Sequence, residues 1–316
     1  MNNTKLEFEF EQNTKIKRLI PIILSVLLAA IMVGGAELFG EKEIIFPEIT
    51  AIAIGALVAP VQSWNTSRLR LLAAITSSAL FGVLIVRLPL PLIVKIIAGL
   101  VISVCIITIS KTGFVPAISA CILPILMSTK SLVYVLSVIV MTGLILISQA
   151  FLEKLDFREK YDFHPVAPNK NLLILRLKQI AVLSIISILP AYFHEIFFIA
   201  PPLMVGFVEM SSPRPKLRKR APQAVLLIIS AAVIGVLSRR FIAEIAGLPL
   251  FAAAAVSVLG IILLVAKLKL YFPPCGAIAT LPFIIPQNAL VRFPFEVAAG
   301  FIIMTILAMT IFKDDN

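Results

Sequence analysis

The sequence predicts an all-α fold, a polytopic transmembrane helical bundle of two parallel pseudo-repeats with six segments each, two of them short, Pro-bounded and either broken or re-entrant. Three observations lead there. Hydrophobic residues make up 60% of the chain and charged residues 14%, so there is more apolar surface than a soluble domain of 316 residues buries. Eight apolar runs, near 19–40, 69–86, 90–109, 131–152, 172–193, 221–238, 247–266 and 294–312, have about the 17–25 residues that cross hydrocarbon as a helix. Four shorter apolar runs, near 46–62, 114–127, 199–213 and 272–286, take the same places in each half.

Residues 1–18 form a polar head, expected to be mobile or to lie on the membrane surface. No small-residue cleavage pattern follows it, so the first run is expected to be a retained helix. FPEITAIAIGALVAP comes next, bounded by Pro47 and Pro60 and interrupted by Gly55. Proline lacks an amide donor and glycine loosens a helix, so in lipid this backbone must be covered by protein or a watery cavity. After the basic loop QSWNTSRLRL, the third span carries Ala73, Ala74, Ser77, Ser78 and Gly82, small residues suited to close helix packing. The fourth span leads to FVPAISACILPILM, and a further span closes the first transmembrane repeat, 19–152. The linker 153–171 gathers charge, His164-Pro165 and Pro168; it is too short for a soluble domain and reads as a partly ordered strap. The second repeat, 172–312, follows the same plan through APPLMVGFVEMSSP and FPPCGAIATLPFIIP, and a polar tail occupies 313–316.

The recurrence has a register. Pro116 and Pro124 have the spacing of Pro274 and Pro282, 158 positions later, while Pro60, Gly82 and Arg87 match Pro213, Gly235 and Arg240 at an offset of 153. Six crossings per half make the repeats parallel, and the triplets within each half are then inverted. Interrupted segments in corresponding places point to a substrate site near the bilayer midplane, hence to transport of a small solute.

A net charge of +11 raises the question of nucleic acid, but topology accounts for it. With both termini and the linker cytoplasmic in a plasma or inner membrane, 21 of the 28 Lys and Arg fall inside. Arg214, Lys216, Arg218, Lys219 and Arg220 then form a loop expected to touch anionic lipid headgroups. No nucleic-acid partner is expected; the bilayer and a small solute are, and a homo-oligomer is left open. Cys105, Cys121 and Cys275 lie in apolar segments, and His164 and His194 are far apart, so neither a disulfide framework nor a metal site is expected, nor any cofactor. The paired acidic motifs, Ser-His or zinc-ligand arrangements of intramembrane enzymes are not visible, so no enzyme is expected.

Broken helices present amides and a favourable dipole at their N-termini, which suits a small anion held weakly. Thr50, Ser119 and Thr280 offer hydroxyl donors, with a bond to the preceding helical turn as the competing use. Gly55, Gly206 and Gly276 permit close approach of backbone to a solute, or equally tight packing. Pro116, Pro273, Pro274 and Cys275 complete the candidate solute-binding set. Every aspartate lies in the linker or tail, so Glu48 and Glu209 are the candidates for proton coupling. Glu37, Glu195, Glu244 and Glu296 fall near outer ends and are expected to be solvated.

FPPCGAIATL resembles the His-Pro-Pro motif of the HPP family of integral membrane proteins, with Phe272 in place of the histidine. Ser212-Pro213, with Arg214, Lys216 and Arg218 after it and then ISAAVIGVL, is similar to the family's second mark. The first half keeps FVPAIS and a cruder SWNTSRLR, so the unit looks duplicated. The resemblance implies transport of an inorganic anion such as nitrite; the missing histidine means that no role of that residue carries over. A weaker likeness, through the basic loop before a small-residue span, is to fusaric-acid and aromatic-acid exporters, which implies organic acids as the alternative. A membrane scaffold without transport is the third reading, marked by dry packing around 114–127 and 272–286.

Overall fold

The computed structural model describes the backbone of residues 2–213 and 215–312 and the side chains of 17–213 and 216–312. Arg214 and the tail 313–316 lie outside the described residues. In chain order the helices are α1 (Asn2–Phe39), α2 (Glu48–Ala53), α3 (Arg68–Val86), α4 (Leu92–Ile109), α5 (Ala117–Met127), α6 (Val133–Lys154), α7 (Lys170–Phe193), α8 (Pro201–Ser211), α9 (Pro215–Arg218), α10 (Ala221–Ser238), α11 (Leu250–Leu268), α12 (Pro274–Thr280) and α13 (Phe293–Ile311). No strand occurs among the described residues. Eight helices are long and apolar enough to cross a membrane: α1 from Lys17, α3, α4, α6, α7, α10 with its π-helical continuation to Ile245, α11 and α13. This is a multi-pass membrane protein by length and composition. Residues 2–18, expected as a separate head, are the beginning of α1.

The short helices begin at prolines. Pro47, Pro116 and Pro273 precede α2, α5 and α12, and Pro201 opens α8. Proline is cheap there because the first amide of a helix has no intrahelical partner in any case. The 11 residues of α5 or of α8 reach about 17 Å at ~1.5 Å per residue, against ~30 Å of hydrocarbon. α2 is prolonged by a π-helical turn, Ile54–Val58, and α12 by a 3-10 turn, Leu281–Phe283.

Contacts between helix ends define two faces. Arg68 pairs with Glu153, Arg70 Nη1 donates to Ser110 O at 2.9 Å, and Arg158 Nη1 donates to Leu57 O at 3.0 Å. The start of α3, the ends of α2, α4 and α6, and the linker therefore share one face. Arg220 Nη2 to Leu268 O at 2.6 Å and Arg218 Nη2 to Ala308 O at 3.1 Å add the start of α10 and the ends of α11 and α13 to it. On the far face Arg87 Nη2 donates to Lys130 O at 2.8 Å, and the Leu250 amide donates to Glu37 Oε1 at 3.1 Å. The strap is tied to the linker face: Tyr161 Oη donates to Asn65 Oδ1 at 3.1 Å and the Val166 amide to Lys111 O at 3.0 Å. Burial pulls the Arg158 guanidinium below its ordinary pKa, with Glu153 opposing.

Short helices are inside and long ones outside. All of α2, α8 and α12 and all of α5 except Met127 are buried. The long helices expose apolar side chains such as Leu177, Ile185 and Leu189 on α7, as lipid contact requires. α2 packs on α12 and α5 on α8, while α1 packs on α11 and α4 on α7. α3 supports α5, and α10 supports α12. Glycine makes both supports close: a Cβ at Gly82 would strike Cys121 O and lie 2.7 Å from Pro124 Cγ. At Gly235 it would lie 2.5 Å from Ala279 O and 2.8 Å from Pro282 Cγ.

Gly82→Ala or Gly235→Ala should therefore lower the thermal midpoint of the detergent-solubilised protein, at a cost of about 1–3 kcal/mol for overpacking. Gly143→Ala on α6, where nothing lies within 4 Å of an added Cβ, should leave it unchanged or raise it.

Candidate functional site

The first turns of all four short helices surround one central cavity. α2 contributes Glu48 and Ala51, α5 Ser119 after Pro116, α8 Pro202 and Val205, and α12 Pro274 and Ala277 after Pro273. The cavity offers about 10 Å³ to the centre of a water-sized sphere, near the threshold for holding one water. Five of the sequence-derived candidates thus meet: Glu48, Pro116, Ser119, Pro273 and Pro274. No Lys, Arg or His lines the cavity.

Glu48 is the one charged side chain in the lining. It is 1% exposed, and its Oε1 accepts a hydrogen bond from Ser119 Oγ. Its Oε2 is buried and has no partner. A charged carboxylate with one hydrogen bond in an apolar enclosure costs more than that bond returns, so this oxygen calls for a donor or a positive charge.

Several of the amides expected to receive an anion are already occupied. Pro201, Pro202 and Pro274 have none to offer. Ile49 N donates to Phe46 O at 3.0 Å, Ile118 N to Val115 O at 3.0 Å, Leu203 N to Ala200 O at 2.8 Å and Gly276 N to Pro273 O at 2.9 Å. Tight turns at the helix starts thus use the donors locally.

The remaining candidates do not line the cavity. Thr50 and Thr280 hydrogen-bond to each other at 2.8 Å, and Thr280 Oγ1 also donates to Gly276 O at 3.0 Å. Gly276 brings α12 onto α2, since an added Cβ would lie 3.0 Å from the Thr50 carbonyl carbon and 2.7 Å from Ile54 Cδ1. Gly55 lies under the Trp64 ring, and Gly206 faces Phe301, 2.7 Å from where its Cβ would be. These glycines serve packing, not approach to a solute. Cys275 is buried outside the lining.

Glu209 lies at the linker-face end of α8. Its Oε1 accepts from Trp64 Nε1 at 3.0 Å, and it lines a vestibule of about 230 Å³ with Ser63, Lys216, Arg220, Tyr271, Phe272 and Pro273. Pro273 lines both spaces, so it stands between vestibule and cavity. Trp64 is held by its loop, where Gln62 Nε2 donates to Trp64 O at 2.8 Å and Thr66 O at 2.9 Å.

The basic loop divides by role. Arg218 is 7% exposed and bonds to Ala308 O and Phe312 O; Arg220 bonds to Leu268 O and Lys269 O. Both therefore close the C-terminal carbonyls of α13 and α11 instead of reaching headgroups, as cations at helix ends do. Lys216 and Lys219 are exposed on the linker face. Glu296, expected to be solvated, is 5% exposed and accepts from the Phe197 amide at 3.3 Å; Glu195 pairs with Arg292 at 3.1 Å, as an outer end allows.

Sequence reading missed Ala51, Pro202, Val205, Ala277 and Trp64. Pro202 had a signal, because Ala200-Pro201-Pro202 echoes Phe272-Pro273-Pro274. The cavity-facing alanines had none, since a small apolar residue in an apolar segment looks like packing.

Arg218→Gln should lower the thermal midpoint by an amount equivalent to about 1–3 kcal/mol, because buried carbonyls lose a charged donor. Lys219→Gln should leave it unchanged; equal effects would restore the headgroup role for both.

No family model, no curated protein and no solved structure matches this chain.

Proposed function

We propose that the chain is a membrane transport protein for a small solute, built as two parallel pseudo-repeats whose broken helices meet at the solute path. The observation that carries this reading is the convergence of α2, α5, α8 and α12 on one cavity whose lining includes the buried residue Glu48. Paired contacts support the repeat. Gly82 against Pro124 corresponds to Gly235 against Pro282, and α1 on α11 to α7 on α4. In the basic loops, Arg68 and Arg70 reach the ends of α6 and α4 as Arg218 and Arg220 reach those of α13 and α11. On the far face Arg239 bonds to Ile285 O at 2.7 Å as Arg87 does to Lys130 O, so Arg239 is the better counterpart than Arg240.

The basic excess on the linker face supports a cytoplasmic linker and termini in a plasma or inner membrane. For the solute, the cavity favours a group that donates to Glu48 over an anion that must accept, because a carboxylate and no basic side chain lines it and several first-turn amides are used. The nitrite-like anion implied by the HPP resemblance finds no positive charge in the cavity lining and meets it in the vestibule, at Lys216 and Arg220. The scaffold reading is favoured by one observation, the small size of the cavity. A carrier accommodates it as a closed conformation.

Purified protein in liposomes, offered a panel of small solutes including ammonium, urea, nitrite and benzoate, decides among these. Saturable flux that Ala277→Val reduces at least about tenfold, equivalent to ~1.4 kcal/mol, would place the path at the cavity. No flux of any solute above empty liposomes would favour the scaffold.

A further inference from the structure

Glu48 and Trp64 are joined by one short element. Glu48 begins α2, and seven residues later Gly55, in the π-helical turn, lies against the Trp64 ring. The Ser63 amide donates to Gly55 O at 3.1 Å, so the loop bearing Trp64 moves with the end of α2. Trp64 in turn bonds to Glu209 on α8 at 3.0 Å, at the rim of the vestibule. A change at the carboxyl end of this lever has a direct mechanical route to the vestibule.

At the carboxyl end the surroundings are defined. α5 brings Ser119 and Cys121, α6 brings Tyr134 with its hydroxyl donating to Ala120 O at 2.9 Å, and α12 brings Pro274 and Ala277, neither of them titratable. α8 brings Pro202 and Val205 to the cavity and carries its own carboxylate, Glu209, toward the vestibule. Among the described residues of α1 no buried side chain is titratable, and the loop entering α2 carries Glu41, Lys42 and Glu43. Nothing in the cavity neutralises Glu48, and its Oε2 is unpartnered. Among small positive partners, a proton is the one that needs neither further oxygen ligands nor more room than the cavity has.

We propose that Glu48 is a proton carrier: Oε2 holds a proton while the cavity is closed, and gives it to water in the vestibule when the Pro273 wall parts. The carboxylate left behind is then paired by water or by the incoming solute, and reclosure requires that it be reprotonated. α2 transmits this change to Trp64 and Glu209, so protonation and vestibule closure are coupled. This rests on the transport reading and adds the coupling ion to it.

Trp64 is the only tryptophan in the chain, which makes its emission a local reporter. The full-length protein in lipid nanodiscs is titrated from acid to alkaline pH, with no solute needed. Wild type should show a single-proton transition in Trp64 emission. Glu48→Gln, of nearly the same size, should hold emission at the acid plateau at every pH. Ser119→Ala, which leaves the carboxyl in place, should keep the transition but move its midpoint. Glu209→Gln should alter the emission baseline and keep the transition. A transition that survives in Glu48→Gln, or that only Glu209→Gln removes, overturns the proposal, as does pH-independent wild-type emission. In liposomes loaded with a pH dye, solute flux with proton movement that Glu48→Gln abolishes supports it; flux with no proton movement overturns it. A Glu48-dependent transition without flux of any solute counts instead against the transport reading.

Discussion

An interrupted helix in a bilayer leaves backbone groups that lipid cannot satisfy, and the rest of this structure follows from covering them. Four short helices begin at prolines, and each of those starts would be exposed to hydrocarbon if it faced outward. The chain puts all four in the middle and surrounds them with eight spanning helices. Local 3-10 turns satisfy the first amides, and arginines close carbonyls at several helix ends. Gly82 and Gly235 let α3 and α10 come near enough to exclude lipid from the proline kinks of the boxed segments.

The same solution determines the site's chemistry. Prolines and tight turns that make the breaks tolerable also remove several of the amide donors an anion would need, so the converging helix starts contribute dipole and fewer N–H groups than regular helix starts would. What remains polar in the cavity is the Glu48 carboxylate and the Ser119 hydroxyl bonded to it. A lone carboxylate there is unfavourable for stability unless a proton or a cationic partner compensates it. Its retention in an otherwise apolar lining points to use.

Much of the architecture was legible because lipid imposes simple rules. Apolar run lengths predicted the eight spanning helices to within a few residues. Glu48, Pro116, Ser119, Pro273 and Pro274 could be named because charge, hydroxyl and proline stand out in apolar sequence. Direction was not legible. Whether Gly276 faces a solute or Thr50 of α2 depends on which helix packs beside it, and that pairing crosses from one half of the chain to the other. The basic loop shows the same limit: one-dimensional clustering groups five cations, while Arg218 and Arg220 are drawn into carbonyls at the ends of α13 and α11.

In the proposed repeat the scaffold is doubled but the charge is single. At the offset of 153 that aligns Gly82 with Gly235, Glu48 corresponds to Pro201, which can neither hold a proton nor donate a hydrogen bond. Glu209, the other buried carboxylate of a short helix, stands at the opposite end of α8 from the cavity and is held by Trp64. The pseudo-symmetric packing therefore surrounds an asymmetric site, in which one half supplies the titratable group and the other supplies Pro273, the wall toward the vestibule. Such a division suits a path with one defined mouth. On the proposed transport reading, a solute arriving from the linker face would meet Lys216, Arg220 and Glu209 first and Glu48 only after Pro273 had moved, which would separate charge selection from coupling along the route.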